Sequence, residues 1–202
     1  MSRQLEPGER IRQWDLAKRL NVSSVPVREA LKTLEAEGQV TYEPNRGYKV
    51  VQLSVEDVEE IYLVRRVLET EGTTYAMPRV DVELIRDLER LVEQMDEFAN
   101  VADILNYTEA NRNFHLLLFK CAELPRLYRL IETLWQNIEA YRGLIFDLDW
   151  CESAQQDHRA LLEACSDRDI AQALAVQDRH RTQALSRIIT FLKESKTWRV
   201  RG

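Results

Sequence analysis

The feature that most constrains this chain is a change of pattern near residue 53. Before it, short apolar-periodic segments alternate with turn-forming residues; after it, long stretches carry apolar residues at helical spacing without strand-like alternation. A length of 202 residues accommodates two small domains, each with its own core. The pattern therefore predicts one domain at residues 1–53 and another at residues 54–202.

The first domain is predicted to begin with two short helices. The first ends at Asn21, and Ser23 or Ser24 caps the second, with Pro26 in its first turn, where a missing N–H costs little. Gly38 ends the second helix. The first helix is predicted from the apolar spacing of Ile11, Leu16, Ala17 and Leu20. The predicted buried stripe of the second helix is Val27, Ala30, Leu31 and Leu34.

A strand hairpin is predicted to follow these helices. Residues 39–43 and 47–53 have strand composition, and the turn residues at 44–47 separate them. Helix, tight turn, helix and hairpin is the order of a winged helix-turn-helix. A generic small α+β domain is the alternative interpretation.

The second domain is predicted to be an all-helical bundle, so the fold class is mainly α with a small α+β domain at the N-terminus. Ser54, Asp81, Ser153 and Asp167 are candidate N-caps or first-turn acids. The predicted helices lie at about 55–77, 81–99, 102–122, 125–146, 150–166 and 168–194.

Composition excludes several classes of protein. No stretch approaches eighteen uncharged apolar residues, so we expect no membrane span, and the first thirty residues carry no apolar signal region. Three cysteines without CxxC spacing argue against a disulfide framework or a zinc ribbon. We expect reduced thiols in a cytoplasmic protein.

The charge is unevenly distributed between the two predicted domains. Residues 1–53 hold nine Lys and Arg against seven Asp and Glu, whereas the remaining chain holds 19 against 27. Because an acidic body repels polyanions, any contact with nucleic acid is expected in the N-terminal domain.

Several motifs resemble the GntR family of bacterial transcription regulators. In the first domain they are Leu5-Glu-Pro-Gly-Glu-Arg-Ile11, Asn21-Val-Ser23, Pro26-Val-Arg-Glu-Ala-Leu31, Leu34-Glu-Ala-Glu-Gly38 and Asn45-Arg-Gly47. In the second they are Arg65 with Glu69, Phe114-His115, Ser153 to His158 and His180, which resemble the FadR-type effector domain, called FCD. The family has one more helix before the Leu5 segment, so the winged domain is expected to lack the family's first helix.

The resemblance implies DNA binding by the second helix, which would lie in the major groove. Ser23 and the first-turn N–H groups suit a phosphate, Ser24 stands where the family often reads a base, and Arg28 suits a guanine or a phosphate. Arg46 and Gly47 form the wing turn, from which Arg46 reaches the backbone or the minor groove. A solvated or ion-paired surface role is the alternative for Arg28.

The resemblance also implies a divalent metal, with zinc foremost and nickel or another transition metal as alternatives. The matching positions are His115, His158 and His180, together with Asn111 where the family usually has a carboxylate. An amide oxygen is a weaker ligand than a carboxylate, but three imidazoles still hold zinc. Taken singly, each histidine favours a surface position or a satisfied core position over a role as metal ligand.

Two arginines are candidate effector-binding residues. The resemblance implies that Arg65 points into the effector cavity and binds an anionic group. Arg142 is the second candidate for effector binding. A structural salt bridge from Arg65 to Glu69 is the alternative for Arg65. Asp157 is a candidate to orient a histidine, with a solvent-facing position as the alternative. The aromatic residues Trp135, Tyr128 and Tyr141 are interpreted as core or dimer interface.

These features together predict a homodimeric transcription regulator that binds a pseudo-palindromic operator. A small carboxylate effector near the metal would control its DNA affinity. One alternative is a metabolite or metal sensor that has lost DNA binding. A metal-dependent enzyme is a weaker alternative, because the sequence has no HExxH, nucleophile-elbow or phosphate-loop motif.

Overall fold

The computed structural model describes residues 5–145 and 148–194. The chain forms two compact units, Met1–Ser54 and Val55–Gly202. Each unit has its own buried core. The family's first helix concerns the chain before Leu5, which lies outside the described residues.

The first unit has the order predicted for a winged helix-turn-helix. Its elements are β1 (Arg10–Ile11), α1 (Gln13–Leu20), α2 (Ser24–Ala36), β2 (Val40–Glu43) and β3 (Gly47–Val50). The strands form an antiparallel sheet in the order β1-β3-β2, in which Tyr48 stands opposite both Ile11 and Tyr42. Val27 and Leu31 of α2 pack in the core beneath this sheet.

Three local predictions for this unit are wrong. Ile11 belongs to β1 rather than to the first helix, because a two-residue strand leaves no alternation to detect. Ala30 is exposed, so the buried stripe of α2 is narrower than predicted. β3 ends at Val50 instead of residue 53.

The second unit is a bundle of long helices, as predicted. Its elements are α3 (Val55–Ala76), a 3-10 turn (Met77–Arg79), α4 (Val82–Asn100), α5 (Ile104–Cys121), α6 (Pro125–Leu144), α7 (Leu148–Asp167) and α8 (Ile170–Glu194). Asp81 caps α4 by accepting from the Leu84 N–H at 2.8 Å. Ser153 instead lies inside α7, and Asp169 rather than Asp167 accepts from the first turn of α8.

The position of α5 determines where side chains from distant parts of the chain meet. This helix packs against α3, α4 and α6, and α8 packs against α3 and α7. Polar side chains are therefore buried where α3, α5, α6, α7 and α8 approach one another. Within the described residues, no helix is long and apolar enough to cross a bilayer.

Candidate functional site

Three imidazole rings meet in the interior of the helical unit. His115 comes from α5, His158 from α7 and His180 from α8, and all three are buried. One nitrogen of each ring lies within 4.8 Å of the others. The structure thus brings together the three histidines of the chain, although up to 65 residues separate them in sequence.

Neighbouring side chains orient two of the rings. His158 Nδ1 lies 2.6 Å from Gln155 Oε1, and His180 Nδ1 lies 3.5 Å from Asp157 Oδ2. Asp157 is itself held by Arg179, whose guanidinium donates to Oδ1 at 2.6 Å. A side chain close to Nδ1 leaves the opposite nitrogen of the ring as the one suited to bind a metal.

The unpaired ring atoms fit a metal ion. Nε2 of His115 and Nε2 of His180 are buried and have no hydrogen-bond partner in the part of the chain that the structure describes. Burial, together with the other imidazoles and nearby arginines, lowers the pKa of His115 and His158, and burial lowers that of His180. Neutral imidazole is the form that binds a metal, and such a donor set suits zinc, nickel, copper or iron.

Asn111 lies one helical turn before His115 on α5 and is fully buried. Residues four apart share a helix face, so the amide stands on the side of α5 that carries His115. Its role as a metal ligand stays a prediction.

A small cavity adjoins the histidine cluster. Its volume is about 10 Å³, which is about what a single water molecule requires. An organic acid therefore does not fit unless the walls move. The lining residues are Tyr62, Arg65, Glu69, His115, Trp135, Arg142, Gln177, His180, Arg181 and Ala184.

The Glu69 carboxylate accepts hydrogen bonds from three other residues of the cavity. Arg65 Nε donates to its Oε1 at 2.7 Å, and the Trp135 indole donates to the same oxygen at 2.8 Å. Arg181 Nη1 donates to Oε2 at 2.5 Å. Burial raises the pKa of Glu69, but the two guanidiniums outweigh this effect and hold the pKa below its usual value.

Positive charge is in excess among the lining residues, which contribute three guanidiniums and one carboxylate. Arg65 and Arg142 stack on the ring of Trp135, with guanidinium carbons 4.2 and 4.6 Å from its centroid. Arg65 Nη1 is buried without a hydrogen-bond partner within residues 5–145 and 148–194. An unpaired guanidinium N–H in a cationic cavity attracts an anion.

The structure brings some of the predicted site residues together in this cavity and adds others that the sequence did not indicate. Arg65 and Arg142 both line it, and Arg65 also forms the salt bridge to Glu69 that was the alternative. Trp135 is buried as expected of a core residue, but it also lines the cavity. Gln177 and Arg181 were missed; their one-turn spacing on α8, beside His180, was the available signal.

The depressed histidine pKa values predict a pH-dependent stability of the metal-free protein. Unfolded histidines take up protons near pH 6.5, whereas the buried rings resist protonation. Below that pH, the unfolded state thus binds more protons than the folded state. The free energy of unfolding therefore decreases as the pH is lowered, by up to about 1.4 kcal/mol per pH unit for each histidine. Urea denaturation at about pH 7.5 and about pH 5.5 measures the slope. A free energy of unfolding that does not change over this pH range would contradict the burial of the three histidines in their neutral form.

The predicted DNA-binding residues occupy two places in the winged unit. Ser23 stands at the N-cap position of α2 without a side-chain cap hydrogen bond, and exposed Ser24 and Arg28 follow in its first two turns. Arg46 lies in the β2–β3 turn, and Gly47 begins β3 with a φ of 83°. The Arg28 side chain is 54% exposed and lies 3.6 Å from Glu29, so it combines exposure with a weak surface ion pair.

Sequence reasoning missed Val25, which is 57% exposed on the first turn of α2. It lies between Ser24 and Pro26, outside the stripe that Val27 and Leu31 bury. An exposed apolar side chain here is suited to contact a thymine methyl group. Trp14 on α1 is 81% exposed.

Comparison with known proteins agrees with this architecture. The profile of bacterial regulatory proteins of the gntR family matches residues 1–50, and that of the FCD domain matches residues 60–183. The chain is 31% identical over 160 residues to YdhC of Bacillus subtilis, an uncharacterised HTH-type transcriptional regulator; the match covers 78% of this chain and 71% of YdhC.

A second relative is McbR, an HTH-type transcriptional regulator of Escherichia coli. It is 28% identical over 131 residues, which cover 65% of this chain and 59% of McbR. The solved structure of E. coli McbR/YncC has the same fold, with a TM-score of 0.87 at 22% identity over 93% of this chain and 90% of that one. The chain therefore belongs to the GntR family of transcriptional regulators, with an N-terminal helix-turn-helix DNA-binding domain followed by a helical FCD domain.

Proposed function

We propose that a small organic acid, bound in the histidine-lined cavity, controls the DNA affinity of this regulator. The observation that carries the proposal is the convergence of three histidines, Arg65 and Arg142 on one buried place in the FCD domain. We further propose that the protein acts as a homodimer in the cytoplasm, where its three cysteines, free in the structure, stay reduced.

In this proposal, His115, His158 and His180 hold a divalent metal, with zinc foremost. Asn111 is the candidate fourth donor, since it lies buried one turn before His115. A bound divalent ion supplies positive charge and a coordination position that a carboxylate can take. Gln155 and Asp157 orient the imidazoles of His158 and His180 through Nδ1.

The two arginines then orient the effector. Arg65 offers the buried Nη1 that has no hydrogen-bond partner among the described residues, and Arg142 adds a second buried charge that also contacts the Trp135 ring. Paired guanidinium N–H groups match the geometry of a carboxylate.

For DNA, α2 enters the major groove with its N-terminal half. Ser23 and the free first-turn N–H groups contact a phosphate, Ser24 and Arg28 contact base edges, and Val25 adds an apolar contact. Arg46 and Gly47 bring the wing to the backbone or the minor groove. The exposure of these side chains supports the proposal.

The geometry of the dimer couples effector binding to DNA binding. Two winged domains on a pseudo-palindromic operator must keep a fixed spacing, because each recognition helix reads one half-site. An effector that fits one arrangement of the helical domains better than the other shifts the spacing and therefore the DNA affinity.

Replacing Arg28 by alanine is expected to weaken specific DNA binding by about ten- to 100-fold, because a good base contact is worth about 1–3 kcal/mol. Fluorescence anisotropy with operator DNA measures the change. Arg86→Ala removes the same charge from an exposed position on α4 and is expected to leave the affinity unchanged. Equal affinities of wild type and Arg28→Ala would show that α2 docks in another orientation.

The effector half of the proposal is tested by thermal unfolding of the zinc-loaded chain with a panel of mono-, di- and tricarboxylic acids. An acid that binds is expected to raise the Tm and to shift DNA affinity in the anisotropy assay. Arg142→Met is expected to abolish both effects while leaving DNA affinity without the acid intact. An acid that acts equally on wild type and on Arg142→Met would contradict the placement of the effector.

A further inference from the structure

A second, solvent-open depression lies beside the closed cavity. It is a groove between α3 and α8 with a volume of about 270 Å³. Leu63, Leu185 and the Tyr62 ring give it an apolar wall, and Arg66 adds a cation. This volume approaches about 300 Å³, the lower end of the range common for ligand sites. The closed cavity, in contrast, has room for about one water molecule.

Arg181 and Tyr62 form the wall between the groove and the cavity, since both residues line both spaces. Arg181 makes one ion pair on each side. Its Nη1 donates to Glu69 on the cavity side, and its Nη2 lies 3.4 Å from Oδ1 of Asp178 on the groove side, where the Asp178 side chain is 60% exposed.

We propose that Arg181 is a gate through which an organic acid passes from the groove into the cavity. In the closed form, seen here, Arg181 is held by Glu69. In the open form, Arg181 pairs with Asp178 alone, the carboxylate of the acid enters the cavity, and the partly apolar remainder of the acid lies in the groove. This proposal rests on the proposed function, because it assumes that the cavity binds a ligand.

Both Glu69 and Arg181 keep other partners when Arg181 moves away from Glu69. When Arg181 leaves, Glu69 keeps the two donors on its Oε1, Arg65 Nε and Trp135 Nε1. Arg181 keeps Asp178 as its partner. The Tyr62 hydroxyl has no hydrogen-bond partner in the described part of the chain. Rotation of Tyr62, the other residue of the wall, therefore breaks no hydrogen bond of its hydroxyl.

The chemistry of the groove indicates which acids pass. The apolar wall and the Arg66 guanidinium favour a carboxylic acid with a short, partly apolar body over a compact inorganic anion. Glu59 and Asp178 on the same groove disfavour molecules with several distributed negative charges.

Accessibility of the histidines tests the gate without requiring a metal or an effector. The full chain is dialysed against a chelator, treated with diethylpyrocarbonate, and the modification rates of its three histidines are followed by mass spectrometry. Arg181→Gln removes the cation that closes the wall and is expected to raise the rates at least about tenfold. Asp178→Asn removes the partner of the open form and is expected to lower them about threefold, as an exposed ion pair allows.

Arg86→Gln is the control, because it removes a cation from an exposed position on α4 that lines neither the groove nor the cavity. Its rates are expected to stay within about twofold of wild type. Wild-type rates in both gate variants, or a change in the same direction in both, would overturn the gate. If Arg181→Gln does not fold by circular dichroism, the exposed Asp178→Asn decides alone: slower modification supports the gate, and an unchanged or faster rate overturns it.

The gate and the proposed function fail in different experiments. Absence of bound zinc and of any effect of carboxylic acids on the wild type would overturn the proposed function, whereas the histidine modification rates report the gate in either case.

Discussion

Replacing His158 by alanine is expected to lower the zinc affinity of the full chain by at least about 100-fold. The loss of a residue that only orients a metal ligand already costs about 10–100-fold, and loss of a ligand costs more. The protein is dialysed against zinc buffered at graded free concentrations, and bound zinc per chain is measured by mass spectrometry. DNA affinity without an effector is expected to stay close to wild type, because His158 belongs to the helical unit and the DNA-binding residues belong to the winged unit.

Substitutions of two other residues of α7 provide an intermediate case and a control for the loss of zinc affinity. Gln155→Ala removes the group that lies 2.6 Å from His158 Nδ1 and is expected to weaken zinc binding by about 10–100-fold. Gln156→Ala changes an exposed neighbour and is expected to have no effect. If His158→Ala binds zinc as tightly as the wild type, the histidine cluster is not the metal site.

Replacing Glu69 by alanine is expected to lower the free energy of unfolding by about 3–5 kcal/mol. The substitution leaves Arg65 and Arg181 buried without the carboxylate that both contact, and breaking a buried ion pair by removing one partner costs this much. It also removes the acceptor of the Trp135 indole N–H. Urea denaturation at neutral pH measures the difference.

Glu71→Ala is the control for this prediction, since Glu71 is exposed on the same helix. Its effect is expected to stay within about 0.5 kcal/mol. A change below about 1 kcal/mol in Glu69→Ala would mean that water or a rearranged side chain replaces the carboxylate, and the cationic cavity would then not depend on Glu69.

The long helices and the order of the winged domain could be predicted because each rests on local periodicity. The pairing of Arg65 with Glu69 could be predicted for the same reason, since residues four apart share a helix face. The histidines were predicted from resemblance rather than from pattern. Their convergence depends on the packing of α5, α7 and α8, which sequence spacing alone does not encode.

The rest of the site depends on contacts between distant residues. Arg181 reaches Glu69 across 112 positions, and Trp135 reaches it across 66. The local signal for Arg181 was therefore limited to its place after His180 and one turn after Gln177. In the winged unit, β1 was missed because Arg10 and Ile11 pair with β3 over a distance of nearly forty residues.

The regulator's function depends on recognition of a specific DNA sequence. The most direct measurement is fluorescence anisotropy of the full chain with DNA from upstream of its own gene, against scrambled DNA and across a series of salt concentrations. We expect saturable binding at least about 1,000-fold tighter than to scrambled DNA, and this binding weakens as salt is raised because phosphate contacts release counterions. Equal binding to both DNAs by a folded dimer would contradict this expectation.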